Sequence, residues 1–132
     1  MSPNGSGDAG DTRRTMRLIH GALLSGILMF GAVVLFLLRS GNMGGGQSGP
    51  FRWAWLALAL VALFAAGLVR GRLRPEAAPR EVQTAAILIW ALAEAQALAG
   101  LSFALVTGDV VLAGGGLVVA MFLLALHRPT SF

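Results

Sequence analysis

Four long apolar runs, separated by short polar stretches, account for most of this chain. Each approaches or exceeds the roughly 20 residues that a helix needs to cross about 30 Å of hydrocarbon. The pattern predicts helices over about 16–38, 51–69, 81–106 and 110–126. The expected fold class is all-α, an integral-membrane four-helix bundle made of two helical hairpins.

The polar stretches fit that topology. Residues 1–12, MSPNGSGDAGDT, are small and polar with no apolar period, and are expected to form a disordered tail. They do not read as a secretory leader, because positive charge comes late and the following apolar run is too long and lacks a small-residue cleavage pattern. Ser40 to Pro50 is a Gly-rich connector without the Lys-Ser/Thr or the preceding strand of a phosphate loop. RGRLRPEAAPRE, from Arg70 to Glu81, holds four arginines, two prolines and two glutamates and belongs in water. Thr107, Gly108 and Asp109 leave so short a turn that the third and fourth helices must be antiparallel neighbours, with Asp109 as a turn residue. Arg13, Arg14, Arg17, Arg70, Arg72, Arg74, Arg80 and Arg128 lie on one side of the expected membrane, against Arg39 and Arg52 on the other. Both termini are therefore expected to be cytoplasmic, N-in and C-in.

Composition narrows the reading further. At 56% hydrophobic, 12% charged and a mean hydropathy of +0.75, the 132 residues lie outside the range of a soluble domain. The net charge of +4 comes from arginine alone, with no lysine, and the arginines sit at helix ends and in one loop. They are topology signals, so no nucleic-acid partner is expected. The absence of cysteine excludes disulfides, thiolate catalysis and Cys-ligated metals. No nucleophile stands with a base, no His and carboxylate cluster has metal-ligand spacing, and no cofactor fingerprint occurs. Neither an enzyme nor a cofactor is expected. Arginine without lysine, beside abundant Ala, Gly and Leu, fits a GC-rich bacterial genome and hence a bacterial inner membrane.

One residue breaks the apolar pattern. Glu94 falls near the middle of ILIWALAEAQALAGLSFALV, and an ionisable group at that depth costs about 2.5–3.5 kcal/mol on insertion scales unless it is partnered or protonated. It is the candidate proton- or ion-binding site. No arginine shares its depth, so Ser25 and Gln96 are the candidate hydrogen-bonding partners. A shift that carries Ala22 onto Ala91 also brings Leu23 onto Leu92, Gly31 onto Gly100 and Ser25 opposite Glu94. Gln96, two residues on, is turned about 200° round the helix and faces another neighbour. The bland alternative is that Glu94 is a neutral hydrogen bonder fastening helices together. His20 reads as an interfacial residue, His127 as part of the tail, and Trp90 as lipid-facing or packing beside the acid. The glycines Gly21, Gly26, Gly31, Gly100, Gly114, Gly115 and Gly116 are candidate helix-packing positions. Four helices leave little room to bury Glu94 and these faces together, so a homo-oligomer or a larger membrane complex is expected alongside the lipid bilayer.

RPE at Arg74 to Glu76, followed by ALAEAQALAGL around Glu94, resembles the loop and second helix of the rotary ATP synthase c-subunit, the proteolipid. That resemblance implies that Glu94 is a proton- or sodium-carrying carboxylate. The preceding helix has Ala and Leu where that family has alternating glycines. RLIHGALLSG, IWALAEAQAL, the TGD turn and HRPT together resemble a group of small bacterial four-helix membrane proteins, a likeness that brings no mechanism with it. Four short helices with one membrane glutamate are also similar to the small multidrug exporters, where the residue serves proton exchange but lies on the first helix.

Overall fold

The computed structural model of the protein describes residues 5–41 and 45–129. It contains four α-helices and, among the described residues, no strand: α1 Gly5–Arg39, α2 Ser48–Gly71, α3 Pro79–Thr107 and α4 Val110–Leu126. The helix stops follow from local chemistry. Pro50 falls in the first turn of α2 and Pro79 opens α3, positions where a missing N–H breaks no helical bond. At the end of α3, Gly108 takes a left-handed φ of 74° and donates its N–H to the Ala104 carbonyl at 2.7 Å. Asp109 then caps α4 by accepting from the Val111 N–H at 3.0 Å.

The first helix differs from the sequence expectation. A tail over 1–12 and a start near 16 were expected, yet α1 reaches back to Gly5, while residues 1–4 lie outside the described residues. The physical reason is propagation. Once a turn exists, each further residue adds one backbone bond, and no proline falls between Gly5 and Arg39 to stop it. Thr15 adds a local bond by donating its hydroxyl to the Asp11 carbonyl at 2.9 Å.

α3 lies at the centre and packs on all three other helices, most extensively on α4; α1 rests on α3 and α4, and α2 rests chiefly on α3. One core cluster joins Met16 and Ile27 of α1, Ala66 of α2, Trp90, Ala93 and Ala97 of α3, and Leu123 and Leu124 of α4. A second joins Val34, Leu101, Ala104, Leu112 and Ala113, with Phe51 and Trp55 packed against it. The start of α1, the end of α2, the start of α3 and the end of α4 therefore share one end of the bundle. The chain runs up, down, up and down.

Alanine is frequent where helices meet, and many large apolar side chains point outward. Phe36, Trp53, Phe64 and Val118 are each at least 69% exposed. Such a surface is costly in water, at about 25 cal/mol per Å² of apolar area, and is matched by lipid. From Gly10, α1 is long and apolar enough to cross a membrane, as are α2 and α3. At 17 residues α4 is shorter, about 25 Å at the helical rise of 1.5 Å per residue.

Candidate functional site

Glu94 stands one residue beyond the centre of the 29-residue α3 and is half-buried. Its position follows from the buried stripe of that helix. Trp90, Ala93, Ala97 and Leu101 are sealed inside, whereas Ala91, Ala95, Leu98 and Ser102 face out. Glu94 falls on the border between the two, one turn beyond Trp90. It forms no hydrogen bond or ion pair among the described residues.

The expected partners do not converge on it. Ser25 is exposed on α1, as are Gly21 and Gly26, and makes no bond to Glu94. Aligning the two helices by sequence matched their depth but not their rotation. Gln96 is 4% exposed and faces α2, where its Nε2 donates to the Leu58 carbonyl at 2.9 Å. Among the described residues its Oε1 is buried without a partner, as is the indole Nε1 of Trp55. Neither orphan was legible beforehand, because both depend on how α2 is rotated.

The glycines divide by contact. A Cβ on Gly100 would stand 2.6 Å from the Leu112 carbonyl oxygen and 2.7 Å from the Gly116 Cα, and one on Gly116 would stand 2.9 Å from the Gln96 carbonyl oxygen. These two let α3 and α4 touch backbone to backbone. A Cβ on Gly115 would stand 2.9 Å from the Trp55 ring, and one on Gly31 would stand 3.1 Å from the Leu117 side chain. A Cβ on Gly21, Gly26 or Gly114 would meet nothing within 4 Å in the isolated chain.

A polar network that sequence reading did not find ties the end of α4 to α1 and α3. Trp90 is fully buried, not lipid-facing, and its indole N–H donates to the His127 carbonyl at 2.7 Å. Its ring packs edge-on to His20, with centroids 5.1 Å apart. His20 Nε2 donates to the Leu124 carbonyl at 3.2 Å, and His127 Nδ1 donates to the Leu123 carbonyl at 3.1 Å. The Leu124 carbonyl at the end of α4 is thus satisfied by the His20 ring, and the Leu123 carbonyl takes the His127 ring in addition to the His127 backbone N–H. Burial of His127, which is 4% exposed, holds its pKa below the ordinary histidine value. The only available signal was a His at each helix end and a Trp at matching depth.

At the opposite end, Arg52 Nε donates to Asp109 Oδ2 at 2.6 Å. That bond, opposed by partial burial, holds the Asp109 carboxyl below its ordinary range. Asp109 is therefore both helix cap and ion-pair partner, beyond the turn role expected of it. Among the described residues no three His, Cys, Asp or Glu side chains gather in a way that could hold a metal. No family model, curated protein or solved structure matches the chain.

Proposed function

We propose that this is an integral membrane protein of four crossings with both termini cytoplasmic, in which Glu94 takes up and releases a proton or cation in the manner of the proteolipid it resembles. The observation that carries this reading is Glu94 itself: a half-buried carboxyl at the centre of a span-length apolar helix, with no partner in its own chain among the described residues. Ionisable side chains within apolar spans are rare and mark ion and proton paths. Pairing of Arg52 with Asp109 supports the orientation, since it offsets one of the two arginines on the non-cytoplasmic side. The apolar exterior supports insertion, and arginine use without lysine supports a bacterial inner membrane.

The test is proton or sodium flux across proteoliposomes. The wild-type chain should carry ions down an imposed gradient, and Glu94→Gln should abolish the flux while leaving folding intact. Equal flux from both proteins, or from protein-free vesicles, would overturn the reading.

A second reading, an accessory subunit without transport, draws support from α1. Gly21, Ser25 and Gly26 lie exposed on its outward face with no neighbour against the glycines, which leaves space for another helix to approach closely. On that reading the chain joins a homo-oligomer or a larger complex, and Glu94→Gln leaves every property of the assembly unchanged.

A further inference from the structure

Charge is unevenly matched at the end of the bundle away from the histidines. Two arginines stand there, Arg39 at the close of α1 and Arg52 early in α2, against one carboxylate, Asp109. The other acidic residues lie elsewhere: Asp8, Asp11, Glu76 and Glu81 belong to the opposite end and Glu94 to mid-span. Asp109 is already engaged, one oxygen by Arg52 Nε at 2.6 Å and the other by the Val111 N–H at 3.0 Å. Arg39 is exposed and forms no ion pair among the described residues. The carbonyls at the end of α1, the usual acceptors for a basic side chain there, are also taken: Phe36 by the Ser40 N–H at 3.0 Å, Leu37 by the Ser40 hydroxyl at 2.7 Å and Leu38 by the Gly41 N–H at 3.4 Å. This guanidinium borders a cavity of about 470 Å³ between α1 and α4, lined by Ala32, Leu35, Phe36, Leu38, Arg39 and Val110. Leu35 and Phe36 lie one turn deeper than Arg39 and Ala32 two turns deeper, while Val110 forms the α4 side. The two helices close up where a Cβ on Gly31 would stand 3.1 Å from the Leu117 side chain, about 12 Å along α1 from Arg39. Ala32, Phe36 and Val110 are exposed, so the groove opens on the outer surface of the bundle.

We propose that this groove binds one anionic phospholipid of the leaflet farther from the termini. The Arg39 guanidinium binds the headgroup phosphate, and part of one acyl chain lies along Leu35 and Ala32, between Phe36 and Val110. Charge complementarity selects the occupant. This end of the chain holds one arginine more than its single carboxylate pairs, and a guanidinium binds phosphate oxygens through charge-assisted hydrogen bonds. A zwitterionic headgroup brings its own cation to its phosphate, whereas a lipid with net negative charge leaves that charge for Arg39 to neutralise. The apolar wall below Arg39 commits the site to a lipid, since a free phosphate would use none of it. The site rests on the membrane reading proposed above, though not on any role for Glu94.

The full chain is incorporated into nanodiscs containing equal phosphatidylglycerol and phosphatidylcholine, released into mild detergent, and weighed intact by native mass spectrometry. One phosphatidylglycerol should stay bound in preference to phosphatidylcholine. Arg39→Gln should lower its retention about fivefold, the effect of one basic residue at a membrane surface. Ala32→Trp, which fills the groove at an exposed position, should displace the lipid, and Arg80→Gln in the polar connection should leave retention unchanged. Inorganic phosphate in excess should not compete, and displacement of the lipid by phosphate overturns the lipid assignment. Equal retention of both lipids, or equal loss in Arg39→Gln and Arg80→Gln, overturns the site. Flotation of the same protein with vesicles separates the two levels: a chain that floats without lipid preference refutes this site alone, and one that never floats refutes the membrane reading with it.

Discussion

Gly100 and Gly116 meet backbone to backbone: a Cβ built on Gly100 would come within 2.7 Å of the Gly116 Cα. Side chains at such a contact cannot rotate away from it, because the obstruction is main chain. Gly100→Ala and Gly116→Ala should each destabilise the α3–α4 hairpin by about 1–3 kcal/mol, the usual range for overpacking a close contact. Gly114→Ala and Gly21→Ala, which meet nothing within 4 Å, should be neutral in the isolated chain. Unfolding in a graded detergent mixture measures the four variants directly.

At the opposite end from the histidines, the Arg52–Asp109 pair sets an acid limit. The Asp109 pKa is depressed in the folded chain, so its stabilisation is present above the unfolded value, near 3.8, and fades as pH falls through the folded one. Thermal stability of the wild type should therefore drop below about pH 4. Asp109→Asn keeps a capping side chain and should flatten that drop, while Asp109→Ala also loses the cap, at about 1 kcal/mol. Melting curves from pH 3 to 7 on the three proteins check both statements.

His127 acts in a higher window. Its folded pKa lies below 6.5, so the stability due to its neutral, buried ring is present above pH 6.5 and declines as pH falls below it. Melting temperature should fall as pH drops below about 6.5 in the wild type and less so in His127→Gln. Trp90→Phe removes the donor to the His127 carbonyl and should lower stability by about 1 kcal/mol at every pH.

Gln96 tests whether its burial serves stability. One end of its amide bonds the Leu58 carbonyl and the other has no partner, so Gln96→Leu exchanges one modest bond for relief of an orphaned oxygen. Stability should change by less than about 1 kcal/mol in either direction. A larger loss, measured by the same detergent titration, would give Gln96 a structural weight that its geometry does not.

Much of this architecture could be read from the order of residues. Apolar runs marked α2, α3, α4 and the end of α1 to within a few residues, though not the start of α1, and the TGD turn dictated an antiparallel hairpin, because three residues span no greater distance. Glu94 was visible as a carboxyl among apolar neighbours. What escaped were relations of rotation and of main chain. Ser25 and Glu94 share a depth but not a facing direction, and helix rotation is set by packing that a single sequence does not encode legibly. The Trp90–His127 bond ends on a carbonyl, which every residue carries, so no side chain announced it. Arg52 and Asp109 each belong to a different loop, although opposite charges at two helix ends that an up-down topology brings to one end of the bundle are a usable signal.

The measurement that bears most directly on the role of Glu94 is its reaction with a hydrophobic carbodiimide in membranes, followed by peptide mass spectrometry across a range of pH. Such reagents modify protonated carboxyls in apolar surroundings. A lipid-accessible Glu94 should be modified in preference to Glu76 and Glu81 in the polar connection, and the label should vanish in Glu94→Gln. A Glu94 that stays unmodified at every pH while the protein is folded and membrane-bound would contradict its assignment as a proton-carrying site.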